Sequence, residues 1–216
     1  MIKSNRNISL EESGFYKGLK VYSKRGPLIS EYMDCMMKVL GNSLLEHHRT
    51  LAVRLDLRLP KDFKYFDASI MSKFFSSLKS KIAYDLHRKE MKGTRVHKCN
   101  LRYFWVKEQS TADLPHFHVV IFLNYNTYMG LGNYESDNNS NLAARIKAAW
   151  ASALSVPIAT AGPLVEFPRN CQYRLFFSAA NFEITKNNLI FRMSYLAKLD
   201  SKRFGSRQRN VGYSLS

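Results

Sequence analysis

Residues 100–123 read NLRYFWVKEQSTADLPHFHVVIFL, and this stretch decides the fold. Asn100 to Glu108 and His116 to Leu123 are rich in aromatic and β-branched residues, the side chains that suit a pleated surface. Gln109 to Pro115 between them is short enough for a hairpin connection, so the two runs are expected as adjacent antiparallel strands. On a strand, residues two apart share a face. His116 and His118 therefore project together, while Phe117 points the other way. The hairpin also returns Glu108 to the side of His116. Two imidazoles and one carboxylate form a plausible divalent-metal site.

Outward from this hairpin, Leu51 to Leu59 alternates strictly. Leu51, Val53, Leu55, Leu57 and Leu59 lie on one face and Arg54, Asp56 and Arg58 on the other, which predicts a half-buried strand with a charged polar face. Ile70, Phe74, Leu78, Ile82 and Leu86 recur every fourth residue, predicting a long helix within 67–92 that stops near Gly93. Leu142, Ile146, Ala149 and Ala153 mark another. Short strands are expected at 164–167 and 173–177, and a first helix follows Pro27 on the stripe Ile29, Met33, Met36, Leu40 and Leu44.

A last helix, capped by Thr185, Asn187 or Asn188, is expected to bury Leu189, Met193 and Leu196. Phe191, Tyr195, Lys198 and Lys202 follow its other edge at i, i+4, i+7 and i+11, so Tyr195 and Lys198 should be neighbours. The whole reads as an α+β fold, a central antiparallel sheet with flanking helices. Three segments are expected: an N-terminal arm and helix (1–48), the main domain (49–204) and a basic C-terminal tail (205–216). Of Tyr103, Phe104 and Trp105, alternation assigns most to the core rather than to base stacking.

The chain of 216 residues carries 33 Lys and Arg against 17 Asp and Glu, a net charge of +16. That balance favours a polyanionic partner, and the spread of basic residues along the sequence suits a groove better than a tail. Arg54, Arg58, Lys202 and Arg203 are the candidate DNA contacts. There is no G-x-x-x-x-G-K-[ST] phosphate loop, so strand separation would fall to another protein. No apolar run is long enough for a membrane span and no signal sequence precedes the fold, so the protein is expected in the cytoplasm. Cys35, Cys99 and Cys171 lack metal or disulfide spacing and read as reduced thiols.

Tyr195-Leu196-Ala197-Lys198 supplies a phenol beside an ammonium. A phenol near pKa ~10 is a weak nucleophile at neutrality, and adjacent positive charge or a polarised phosphate corrects that. The ordered set Glu108, His116-Phe117-His118, Tyr195-Leu196-Ala197-Lys198 resembles the HUH endonucleases, named for His-hydrophobe-His. With Y-x-x-K after the histidines, it resembles their single-tyrosine replication initiators, in particular those of filamentous phages and prophages. The resemblance spans about Thr50 to Arg203.

What the resemblance implies is a ferredoxin-like or RRM-like Rep-type domain, with Mg²⁺ or Mn²⁺ held by Glu108, His116 and His118. It implies Tyr195 as nucleophile, Lys198 as its charge partner, single-stranded origin DNA as substrate, and a host helicase and polymerase as partners in rolling-circle replication. The family's first motif is matched only loosely by Leu51 to Leu59, where Arg54, Asp56 and Arg58 replace small polar residues. Two rival functions compete with this one. A non-catalytic DNA-binding regulator needs only the charge, and a metal-dependent phosphoesterase would activate water instead of Tyr195.

Overall fold

The computed structural model describes residues 8–63, 69–109, 114–133, 140–200, 202, 204 and 209–214. Four two-residue strands open it: β1 (Leu10–Glu11), β2 (Phe15–Tyr16), β3 (Leu19–Lys20) and β4 (Leu28–Ile29). The main elements follow as α1 (Ser30–Glu46), β5 (Arg49–Leu57), α2 (Ile70–Met91), β6 (Arg102–Glu108), β7 (His116–Asn124), α3 (Leu142–Leu154) and α4 (Ile158–Ala161). The chain ends through β8 (Val165–Glu166), β9 (Gln172–Phe176), α5 (Phe182–Ser194) and β10 (Val211–Tyr213).

The six strands of the central sheet run in the order β10-β6-β7-β5, with both β8 and β9 on the outer side of β5. Every pairing is antiparallel. Taken from β5 onward the order of elements is βαββαβ, with β6, β7, β5 and β8/β9 side by side. That is the ferredoxin-like arrangement within an α+β fold. The histidine strand β7 lies in the middle, where hydrogen bonds to β5 and β6 fix its register on both sides.

Strand alternation divides the core in two. Leu51, Val53, Leu55 and Leu57 of β5 and Phe117, Val119, Ile121 and Leu123 of β7 face α2 and α3, where Phe74, Leu78, Ile146 and Trp150 complete one cluster. Ala52, Phe104, Val106, Val120 and Phe122 face the other way, onto Met33, Met36 and Leu40 of α1 and Leu189, Ile190 and Met193 of α5. Both sheet faces are therefore covered. Each wholly buried aromatic or aliphatic side chain contributes about 1.5–3 kcal/mol to holding the layers together.

The first helix and the long helix appear as the periodicity predicts, and Gly93, at φ 72°, takes the left-handed backbone that ends α2. Gly41 lies within α1 without breaking it. Phe104 and Trp105 are buried and Tyr103 stacks on Phe75, as expected of core aromatics. All three cysteines are free thiols.

Three expectations are revised. β5 is buried on both faces, because the segment after α5 covers the side that carries Arg54 and Asp56. The last helix begins at Phe182, ahead of the predicted caps, since Phe182 extends the Leu189, Ile190 and Met193 stripe by two turns. It also ends at Ser194, so Tyr195–Ala197 form a tighter 3₁₀ turn and Lys198 is already extended. Lys198 there bridges Leu28, and the Leu199 amide donates to the Pro27 carbonyl at 3.0 Å.

The described part of the arm is thus packed against the segment that carries Tyr195. Near the C-terminus, β10 adds a strand to β6. Gly212 lies opposite Trp105, whose indole occupies the space a Cβ would need. Among the described residues, no helix is long and apolar enough to cross a membrane.

Candidate active site

Register builds the site. Glu108 of β6 is the cross-strand partner of His116, and Asp56 of β5 is the cross-strand partner of His118. Strand alternation puts Asp56, Glu108, His116 and His118 on one sheet face, at the end nearest the hairpin connection. The segment after α5 lies over this face and brings Tyr195, Lys198 and Lys202 down onto it.

Glu108, 2% exposed, is the hub. Its Oε2 is 3.1 Å from His118 Nε2, 3.9 Å from His116 Nε2 and 3.1 Å from Lys198 Nζ, while its Oε1 accepts from Lys202 Nζ at 2.9 Å. Lys198 Nζ also donates to the Tyr195 hydroxyl at 2.7 Å, so one ammonium joins the phenol to the carboxylate. The rings of Tyr195 and His118 are 6.0 Å apart. On the other edge of His118, Asp56 Oδ1 lies 2.6 Å from Nδ1. A carboxylate has no proton to give, so both ring N–H groups donate, Nδ1 to Asp56 and Nε2 to Glu108, and a metal ion at Nε2 would take the place of that second proton while Asp56 still holds Nδ1–H.

Each buried ionisable group takes its state from these neighbours. Burial works to raise the Glu108 carboxyl, but the His118 hydrogen bond and the Lys202 charge outweigh it and hold Glu108 far below the usual carboxylate range. Asp56 is likewise lowered, against its burial, by the His118 hydrogen bond. His118 is raised, because hydrogen bonds to Asp56 and Glu108 overcome its desolvation. His116 is lowered by burial and by the charge of His118. Burial also lowers Lys202, whereas Lys198 is raised by Tyr195 and Glu108 in spite of burial.

The metal reading fits the donor set. Glu108, His116 and His118 each offer a ligand atom, and these atoms all lie within 4.8 Å of one another. Two imidazole nitrogens and a carboxylate suit a divalent ion, and the Asp56–His118 bond is the outer-shell contact that fixes a ligand tautomer. Glu108 is also held by two ammonium groups, so a metal ion would compete with Lys198 and Lys202 for it. Arg54, Lys198 and Lys202 stand against Asp56 and Glu108 among the buried charges of the site. With His118 raised towards its charged form, the buried charges of the site are positive in sum.

The structure brings together Tyr195, Lys198, Glu108, His116 and His118 as the sequence predicts. Lys202, read from the sequence as a DNA contact, is instead buried with its ammonium on Glu108, because the chain leaves the helix at Ser194 and turns it inward. Arg54 is buried beside Asp56 and His118, while Arg58 lies past the end of β5, exposed and paired with Glu166 at 3.2 Å. Arg203 lies outside the described residues. The part of Asp56 in orienting His118 is absent from the sequence reading, since it depends on a register between strands more than 60 residues apart.

Among known proteins, residues 11–214 match the family model described as the YagK/YfjJ C-terminal domain. The chain is 35% identical over 205 residues to the uncharacterized protein YfjJ of Escherichia coli (strain K12), covering 89% of this chain and 97% of YfjJ. It is 34% identical over 206 residues to the uncharacterized protein YagK of the same strain, covering 91% and 98%. No solved structure matches it. The matched span takes in the whole central sheet and every residue of the site, and the chain belongs to the YagK/YfjJ C-terminal domain family.

Proposed function

We propose that this protein is a metal-dependent endonuclease and strand transferase of the His-hydrophobe-His class, which nicks and rejoins single-stranded DNA to initiate rolling-circle replication of a phage or related mobile element. The observation that carries the reading is the continuous link from Tyr195 through Lys198 to Glu108 and the histidine pair. A water-activating phosphoesterase has no need of a phenol held at 2.7 Å by a buried ammonium.

Mg²⁺ or Mn²⁺, held by Glu108, His116 and His118, supplies Lewis-acid polarisation of the scissile phosphate when bound. The protein's own groups do the rest. Lys198 donates to the Tyr195 oxygen and stabilises the phenolate as its proton passes to solvent. The Tyr195 oxygen then attacks phosphorus in line. A bond from Tyr195 to phosphorus forms as the bond from phosphorus to the 3′ oxygen breaks, and the departing oxygen takes a proton from solvent. The 5′ end stays on Tyr195 as a phosphodiester.

One ester replaces another, so a 3′ hydroxyl can reverse the step and rejoin the strand. The free 3′ hydroxyl suits a host polymerase, and strand opening is left to a host helicase. Asp56 keeps His118 Nε2 facing the site throughout, and the buried positive excess favours the phosphate.

The test is incubation with single-stranded DNA spanning the origin of the element that carries the gene, with Mn²⁺, followed by denaturing electrophoresis. A covalent protein–DNA band is expected. Free cleaved strands would point to the hydrolase, and unchanged DNA to a regulator.

A further inference from the structure

The recess of about 380 Å³ at the nucleophile is lined by Asp56, His118 and Tyr195 of the site and by four residues that the proposed chemistry does not use. Tyr22 from the arm, Arg54 from β5 and Phe191 and Arg192 from α5 line it next to Tyr195. Arg54 is only 9% exposed, yet it is poorly partnered. Asp56 accepts from its guanidinium at 3.5 Å, the outer limit for such a bond. His118 Nδ1 lies 3.3 Å away but already carries the proton it shares with Asp56, so it offers Arg54 no lone pair. The Nε of Arg54 is buried with no partner.

Arg192 repeats the pattern. One of its terminal nitrogens donates to the Arg169 carbonyl at 3.0 Å, while its Nε is buried and unpartnered. Buried polar groups are rarely left unpaired, and a buried guanidinium least of all. The buried guanidinium of Arg54, which otherwise meets the Tyr195 ring at 5.5 Å, and the buried Nε of the partly exposed Arg192 leave donors to spare beside one recess, and a phosphate supplies several oxygens in the fork geometry that arginine matches.

Apart from Asp56 and His118, the rest of the recess is aromatic. Tyr22 meets Phe191 edge-on at 6.2 Å and Tyr195 at 5.2 Å, and its amide donates to Ser194 Oγ at 2.8 Å, which ties the arm to the end of α5. Phe191 is 38% exposed, so part of its ring is open to a ligand. Cation and aromatic surface in one recess match an unpaired nucleotide, with phosphate on the arginines and base on the ring.

We propose that this recess is a subsite for a nucleotide flanking the scissile phosphodiester, Arg54 and Arg192 holding its phosphate and Phe191 with Tyr22 its base. The proposal rests on the reading of the protein as a single-strand endonuclease. It also gives the N-terminal arm a part in substrate binding.

The test uses binding alone. Fluorescence anisotropy of the full chain with a labelled 12-nucleotide single strand, in EDTA, separates the subsite from the nicking chemistry. Abasic sites placed one position at a time should reveal a position where losing the base weakens wild-type binding at least about fivefold, the low end for one base–aromatic stack. The same abasic site should cost Phe191→Ala nothing, because the stack is already gone. Arg192→Gln should flatten the log-log salt dependence by about 0.7, one phosphate's worth on a single strand.

Arg54→Lys keeps the charge, and with an unchanged melting temperature it should still bind more weakly than wild type. The subsite is overturned if Phe191→Ala and Arg192→Gln bind as wild type does, or if every abasic position costs both proteins equally. A wild type that shows these effects but never nicks DNA would sink the endonuclease reading and leave the subsite standing.

Discussion

Asp56→Asn removes one negative charge from a buried hydrogen bond and changes little else in volume. The bond runs 2.6 Å from His118 Nδ1 to Asp56 Oδ1, between side chains 8% and 11% exposed. A hydrogen bond to a charged group contributes roughly 1.5–3 kcal/mol. An asparagine can present its amide nitrogen to Nδ1, which then accepts, so the remaining ring proton is kept on Nε2, the nitrogen a metal ion would need. Loss of an outer-shell partner of this kind typically costs about 10–100-fold in metal affinity, or roughly 1.4–2.7 kcal/mol, which agrees with the value of the bond itself. Calorimetric titration of Mn²⁺ into wild type and variant measures the difference, and melting curves check that β5 and β7 still pair. A folded Asp56→Asn protein with Mn²⁺ affinity within twofold of wild type would refute the assignment of His118 as an oriented ligand.

Four further expectations follow, three from the same network and one from the sheet edge. Lys202→Met removes an ammonium 2.9 Å from Glu108 Oε1 and should raise Mn²⁺ affinity several-fold by calorimetry, since a competing cation is gone; a fall would show that Lys202 assists the metal. Lys198→Ala should slow adduct formation about 10²–10³-fold without abolishing it, because Lys198 stabilises charge and supplies no bond; a single-turnover time course on denaturing gels measures this. The folded-state pKa of His118 is raised above 6.5, so its contribution to stability without metal is fully present below pH 6.5 and lost as pH rises through the raised value; Mn²⁺ affinity should climb over that same window, because the ligand must lose its proton. Gly212→Val would place a Cβ about 2.5 Å from the Trp105 indole and should cost roughly 1–3 kcal/mol, read as a fall of several degrees in melting temperature, with β10 lifted off β6.

What the sequence makes legible here follows periodicity. The strand alternation of β5, β6 and β7 and the helical stripes of α1, α2 and α3 recover the sheet and its helices, and the H-x-H spacing with Glu108 recovers the cluster. Short elements are another matter. β1 to β4 are two residues each and β10 three, too short for any period, and the arm docks through unevenly spaced side chains such as Tyr16, Val21 and Tyr22 together with backbone contacts such as Leu28 to Lys198. Alternation places Arg54 and Asp56 on one face but does not say whether water or protein covers it. In this fold the segment after Ser194 covers it, so that Asp56 supports His118 while Arg54 lines the recess beside Tyr195. For Lys202, helical spacing carried past Ser194 sets it on one edge with Tyr195 and Lys198 as a DNA contact, whereas the 3₁₀ turn and the extended Lys198 bring its ammonium onto Glu108.

If Tyr195 becomes bonded to DNA, strand-specific labelling will show which side of the nick it holds. Wild type and Tyr195→Phe are incubated with Mn²⁺ and origin single strands labelled on either side of the nick, then resolved under denaturing conditions. Phenylalanine keeps the ring and its contact with Tyr22 and loses only the oxygen that accepts from Lys198, so the fold should persist. In wild type, label 3′ of the nick should migrate with the protein, and label 5′ of it should leave on a free strand ending in a hydroxyl. Tyr195→Phe should give neither product. An adduct formed by Tyr195→Phe, or retention of the 5′-side label by the wild type, would contradict the account even with the metal site intact.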